Sequence, residues 1–218
     1  MNLALLAQPN VYATQPPAFF SPDLFGPQAC LDNTLSPTLA DLVTCFEIYT
    51  VPPDFYNAST YAAAQPTSSQ RAAWSDITHS LLDLSATPNA PNTCASLLLP
   101  TPLQDIYSLS SFTDTNTSTP YCVLSETHST YGVYNKGWGF VIVPATRSAL
   151  QRHLHISAPQ PVIGIGTLVQ TAALFAAVGA KSLVIPGRYG DAFPSPTDCV
   201  RGIRHTTSPS PRTKCTAC

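Results

Sequence analysis

Apolar positions repeat at helical spacing in three stretches of the chain. Leu39, Leu42, Val43 and Phe46 recur at steps of three and four, which puts them on one face of a helix. Ser36-Pro37 stands just before them and predicts the start, with Ser36 as N-cap and Pro37 at the first helical position. Val51-Pro52-Pro53 ends the helix, because proline lacks the N–H the next turn needs. Trp74, Ile77, Leu81 and Leu84 form a second stripe, opened by a capping box at Thr67-Ser-Ser-Gln70. His79 falls off that stripe and is expected in solvent. The third stripe is Leu168, Ala172, Phe175 and Val178. Thr167-Leu-Val-Gln170 reads as its capping box, and Gly179 suits a left-handed C-cap because it has no Cβ to clash.

Between these helices the pattern becomes that of strands. Tyr121–Leu124 and Gly139–Val143 are rich in β-branched and aromatic residues and are predicted strands, joined by a loop over Tyr131–Gly137. Ala145–Leu150 is expected as a short helix and Leu154–Ala158 as a short strand. Pro161-Val-Ile-Gly-Ile-Gly166 leads into the third helix, and Lys181–Ile185 follows as a buried strand closed by Pro186-Gly187. A strand, helix and strand with short links implies a parallel pair with a right-handed crossover. Residues 85–120 read as polar loop broken by a short strand at Cys94–Leu99 and by Ile106–Leu109.

The ends show no period. Residues 1–29 are expected as an extended or disordered arm, and residues 30–199 as a single α/β domain. After Val200 the one large aliphatic residue is Ile203. Residues 200–218 are therefore read as a disordered tail, and a reading-frame or splice error would produce such a sequence. The fold class expected is α/β: a small, partly parallel sheet with flanking helices, supported by disulfides and incomplete at its C-terminal end.

Composition narrows the setting. The chain has 218 residues, enough for one domain with a sizeable core. Charged residues are 10% of it, against roughly 25% in average globular proteins. Ser, Thr, Asn, Gln and Pro fill the surface instead, as in extracellular proteins. A net charge of −2 offers no long-range attraction for nucleic acid or anionic lipid. No apolar run reaches the ~20 residues of a membrane span. Seven widely spaced cysteines favour disulfides over a metal knuckle, and the pairs expected are Cys30 with Cys45 and Cys94 with Cys122. The odd count leaves at least one thiol without an internal partner. Met1–Ala7 lacks the positive side chain and the length of a secretory signal but fits the remnant of one. Asn57-Ala-Ser59 and Asn116-Thr-Ser118 are glycosylation acceptors. A secreted monomer is the expectation.

Candidate chemistry sits in a few places. In a strand, Glu126 and His128 would share one face, and so would His153 and His155. Two such pairs on neighbouring strands could surround one zinc-like ion, with His128 and His155 as ligands, or form an acid–base pair. The plainer alternative is exposure on strand ends and loops. Gly164-Ile-Gly166 before a helix hints at nucleotide binding, but the third glycine position of that fingerprint is Val169, and a structural turn is the better reading. Cys215-Thr-Ala-Cys218 has redox spacing without the helix N-terminus that would activate a thiol. No Ser stands in a G-x-S-x-G elbow.

From Thr67 to Cys199 the chain resembles a family of secreted fungal proteins of unassigned function. The resemblance lies in Ala64–Trp74, Leu124–Ser129, Gly137–Pro144 and Ala172–Arg188, and in the frame H-x-S-A-P-x-P, G-T-x-x-Q, G-A-K-S-L-x-I-P-G-R that begins at His155 and ends at Arg188. Family members read A-P-H-P-x-x-D at the β-α junction, where a His and an Asp would suit zinc-assisted hydrolysis. Here those positions are Gln160 and Gly164, and Gly190 replaces the second basic residue of a G-R-x-R pattern. The resemblance therefore carries catalytic roles over only to Glu126, His128, His155 and Arg188. It implies a hydrolase-like scaffold, truncated and without activity. A disulfide-stabilised extracellular interaction protein is the alternative.

Overall fold

A computed structural model describes residues 26–84, 94–159 and 166–193. The centre is a five-stranded mixed sheet. Its strands are β1 (Tyr107–Asp114), β2 (Thr119–Glu126), β5 (Phe140–Pro144), β6 (His155–Ser157) and β7 (Ser182–Ile185), in the order β1-β2-β5-β7-β6. The β1–β2, β2–β5 and β5–β7 pairs are antiparallel, and β6–β7 is parallel. A separate two-stranded ribbon joins β3 (Ser129–Thr130) to β4 (Val133–Tyr134); β4 lies within the segment expected as a loop and β3 just before it.

Both faces of the sheet centre are covered, which explains why Tyr121–Leu124 of β2 and the whole of β5 are apolar without a break. Tyr121, Val123, Phe140 and Ile142 point to one side, where α1 (Leu39–Glu47) and α4 (Thr167–Val178) lie. Cys122, Leu124, Val141 and Val143 point to the other, where Ile77 and Leu81 of α3 (Ser68–Leu84) meet them. The period-two alternation thus divides each strand between two cores.

The parallel unit expected near the C-terminal end exists as β6, α4 and β7. Its first strand is His155–Ser157, while the apolar run through residue 165 lies outside the described residues. Gly179 caps α4 in the left-handed conformation, at φ 55°. The N-terminal end differs from expectation. Thr167 is already helical, and Gly166, at φ 75°, is the N-cap with no side-chain cap bond. Gln170 N–H donates to Gly166 O at 2.9 Å, an ordinary helical bond that leaves Thr167 no capping role.

The start of α1 also shifts. Its N-cap is Thr38, not Ser36, because a capping box needs an acceptor three residues on. Thr38 has Asp41 there, whereas Ser36 has Leu39. The box at Thr67 forms as expected, with Thr67 N donating to Gln70 Oε1 at 2.9 Å and Gln70 N to Thr67 Oγ1 at 3.2 Å. Residues 26–29 are not an arm: Pro27–Leu31 is a 3₁₀ turn with Pro27 and Cys30 buried. Cys94–Leu99 is not a strand but opens with a 3₁₀ turn at Cys94–Ser96, and the helix expected over 145–150 is reduced to a 3₁₀ turn at Arg147–Ala149. Most of β1, a polar edge strand, and α2 (Ala58–Ala64), which has no apolar stripe, had no sequence expectation.

Two disulfides tie these parts together. Cys30–Cys45 fastens the first 3₁₀ turn to α1, and Cys94–Cys122 fastens the turn after α3 to β2. Both are the pairs chosen from the sequence. Among the described residues, no helix is long and apolar enough to cross a membrane. Residues 1–25 and 194–218, with the tail and its cysteines, lie outside the described residues.

Candidate functional site

The alternation along β2 puts Cys122, Leu124 and Glu126 on the α3 side of the sheet. The last of these is a carboxylate with 0% of its surface exposed. The loop from Lys136 to Gly139 folds over it. Lys136 N–H donates to Glu126 Oε2 at 2.9 Å, and Trp138 N–H donates to Oε1 at 2.7 Å. Two glycines let the backbone present these donors inward. Gly137 and Gly139 have φ of 65° and 91°, and a Cβ on Gly139 would stand 2.0 Å from Ile185 O. Successive N–H groups turned to one side form a nest for an anion.

The nest is held from outside. Tyr107 Oη donates to Gly139 O at 3.0 Å, and Tyr56 Oη to Lys136 O at 3.3 Å. Trp138 Nε1 donates to Ala64 O and Lys136 Nζ to Ala63 O, each at 2.7 Å, which ties the loop to the end of α2. Burial raises the Glu126 carboxyl, the backbone N–H groups pull it down, and burial prevails, leaving it at about 7. Burial, and then the Glu126 charge, push the Tyr107 and Tyr134 phenols well above their ordinary value. Tyr134 Oη and Ser125 Oγ are buried here without a hydrogen-bond partner.

His128 does not share a strand face with Glu126. β2 stops at Glu126, so the two-residue repeat does not extend to His128. The imidazole is exposed, with Nδ1 2.7 Å from Thr127 Oγ1. His128, Asp105, Asn135 and Lys136 line one open cleft of about 230 Å³; Glu126 lies at its floor, covered by the Lys136–Trp138 backbone and with none of its surface exposed.

His155 is elsewhere. It starts the edge strand β6, with Nδ1 2.7 Å from Ser182 Oγ. β5 and β7 lie between β2 and β6, and strands spaced about 4.8 Å apart put those two about 14 Å from one another. The register adds to this. Ser125 aligns through Phe140 and Ile185 with the Ala158 end of β6, so His155 lies toward the opposite end of the sheet from His128. One ion cannot take both imidazoles at ligand distances of about 2 Å. The two-pair zinc centre expected from spacing is therefore not formed. Among the described residues, no three His, Cys, Asp or Glu side chains group around a metal position. His153 and His79 are exposed, and Gln160 and Gly164 lie outside the described residues.

Arg188 lies behind the nest. A parallel bridge to Val51 fixes its backbone, with Val51 N–H donating to Gly187 O at 2.9 Å and Tyr189 N–H to Val51 O at 3.0 Å. A Cβ on Gly137 would meet Arg188 Cβ at 3.1 Å and Tyr56 Oη at 3.2 Å, so the Glu126 loop and Arg188 sit on either side of that glycine. The guanidinium carbon stands 5.3 Å over the ring of Tyr61, which stacks on Phe193 with centroids 4.4 Å apart. Arg188 Nη1 is buried and has no acceptor.

The structure thus brings Glu126 and His128 to one cleft, sets Arg188 at the adjoining end of β7, and leaves His155 apart. Sequence reasoning missed Tyr56, Tyr61, Trp138 and Phe193. Their one signal was Gly137-x-Gly139, a pair spaced for a tight backbone turn; the aromatics follow no period. Asn57 and Asn116 are both exposed, and Asn57 also caps α2 through its side-chain oxygen. No family model, curated protein or solved structure matches the chain, so the likeness stated from its motifs has only those motifs behind it.

Proposed function

We propose that the protein is a secreted α/β protein on a hydrolase-like scaffold that binds a ligand without hydrolysing it. One observation carries the reading. Glu126 is the carboxyl best matched in acidity to proton transfer near neutral pH, yet both its oxygens accept backbone N–H groups from the loop that buries it. A general base must reach its substrate, and Glu126 has none of its surface exposed beneath that loop. Glu126 instead shapes the loop, and His155, with its Ser182 partner, is too far away to assist. Secretion draws support from the two disulfides, the low charge and the exposed acceptor asparagines.

The shared cleft of Glu126 and His128 favours a second reading, an acid–base hydrolase that works without zinc. Turnover of nitrophenyl esters and phosphates by purified protein, with metal analysis alongside, separates the two. The binding reading expects no bound zinc after dialysis and no turnover above that of H128A. Turnover that disappears in a folded H128A, or stoichiometric zinc, would overturn it.

A further inference from the structure

We infer that the cleft at the C-terminal end of β7 is a binding site for a small oxyanion, a carboxylate or phosphate monoester, carried on a flat apolar body. This deepens the binding reading above and names its ligand class. The cleft, about 260 Å³, is lined by Tyr61, Pro159, Pro186, Arg188 and Phe193 among others. That volume is below the ~300–1,000 Å³ of drug-sized pockets and fits a single ring with one charged group.

Three features select the ligand. First, Arg188 has an unmet demand. A buried guanidinium N–H without an acceptor is costly, and Arg188 Nη1 has no hydrogen-bond partner. Its planar fork matches a carboxylate or phosphate bidentately. Second, the bridge to Val51 fixes the backbone that carries Arg188, Gly137 packs near its Cβ, and the guanidinium rests over the Tyr61 ring, so the residue is positioned before a ligand arrives. Third, the walls are aromatic rings and prolines. Tyr61 and Phe193 stack with an interplanar angle of 19° and together form one aromatic side of the cleft. The acids nearby do not occupy the cation: Glu126 is enclosed by its own nest beyond Gly137, and Asp191 is not among the residues lining the cleft.

The experiment is titration of the full chain by calorimetry with benzoate, phenyl phosphate, inorganic phosphate and neutral benzyl alcohol. Benzoate or phenyl phosphate should bind at least about tenfold more tightly than benzyl alcohol, a ratio that matches one charge-assisted hydrogen bond. Their relative affinities decide whether carboxylate or phosphate is preferred. Inorganic phosphate binding as well as phenyl phosphate would overturn the apolar half of the proposal. R188M should remove the preference for anions, and Y61L should weaken both aromatic anions several-fold while sparing inorganic phosphate. Melting curves establish that each variant is folded. Should R188M fail to fold, R188K serves instead, keeping the charge and losing the bidentate fork. Anion binding unchanged in a folded Arg188 variant, or no anion binding by the wild-type chain, would sink the inference. Hydrolysis of phenyl phosphate with intact binding would instead overturn the reading of inactivity and leave the site standing.

Discussion

Glu126 is a buried acid held between two opposed effects. Low dielectric favours its neutral form, and the inward-facing N–H groups favour its charged form. With burial ahead, the folded-state value of about 7 exceeds the ordinary 4.5. The folded protein then binds more protons than the unfolded chain between those values, so stability falls as pH rises through this window. The contribution is present in full below about 4.5 and is lost above about 7, a change of roughly 3 kcal/mol. Urea denaturation from pH 4.5 to 8 should show this decline in the wild type and a flatter profile in E126Q. Equal slopes in the two proteins would show that Glu126 does not titrate there. Gly139 makes a second prediction at this scale. A methyl group there has no room beside Ile185 O, and φ of 91° is strained for any L side chain. G139A should lose at least about 3 kcal/mol of stability and move the fluorescence of Trp138, whose N–H the loop delivers to Glu126.

Among the elements, α1 depends on a residue far from it in sequence. Asp114, at the end of β1, accepts Leu39 N–H through Oδ2 at 2.8 Å, while its Oδ1 accepts Asn116 N–H and Thr117 N–H, each at 3.0 Å. One buried carboxylate thus caps a helix and closes the β1–β2 hairpin. D114A should destabilise the fold by about 2–4 kcal/mol, more than the ~1 kcal/mol expected of T38A, which removes only the local cap. Chemical denaturation of the two variants checks the order. The Cys94–Cys122 bridge closes a loop between residues separated by 28 positions and joins a turn to the central strand β2. C94A/C122A should lower stability by about 2–4 kcal/mol, seen as a lower melting temperature that reducing agent no longer shifts as far.

For the whole molecule, the sheet decides which residues meet. At one end, β2 finishes in Glu126, β5 begins after the glycine loop, and β7 runs into Arg188. β6 ends at the same side, since it is parallel to β7, and the cleft beside Arg188 begins there at Pro159. His155 starts β6 and so falls at the other end. Zinc added to the purified protein should therefore not raise its melting temperature through a His128–His155 pair. H155A should leave ligand binding at the Arg188 cleft unchanged, checked by the same calorimetry.

The helices α1, α3 and α4 were legible because a repeat of three to four is a local property, as are the caps at Thr67 and Gly179. The same holds for β2, β5 and β7, legible from the apolar runs Tyr121–Leu124, Phe140–Pro144 and Leu183–Ile185; those of β2 and β5 are buried on both faces, while Val184 of β7 is exposed. β1 was hidden because an edge strand needs fewer apolar residues, and α2 because seven residues of Ala, Ser, Thr and Tyr carry no stripe. Spacing named Glu126, His128 and His155, and the motif resemblance added Arg188, as polar residues worth attention. It could not tell that Glu126 faces a nest, that His155 lies across the sheet, or that Tyr61 and Phe193 wall the Arg188 cleft. Those facts depend on strand order and register, and contacts between residues distant in sequence leave no period for a linear reading to detect.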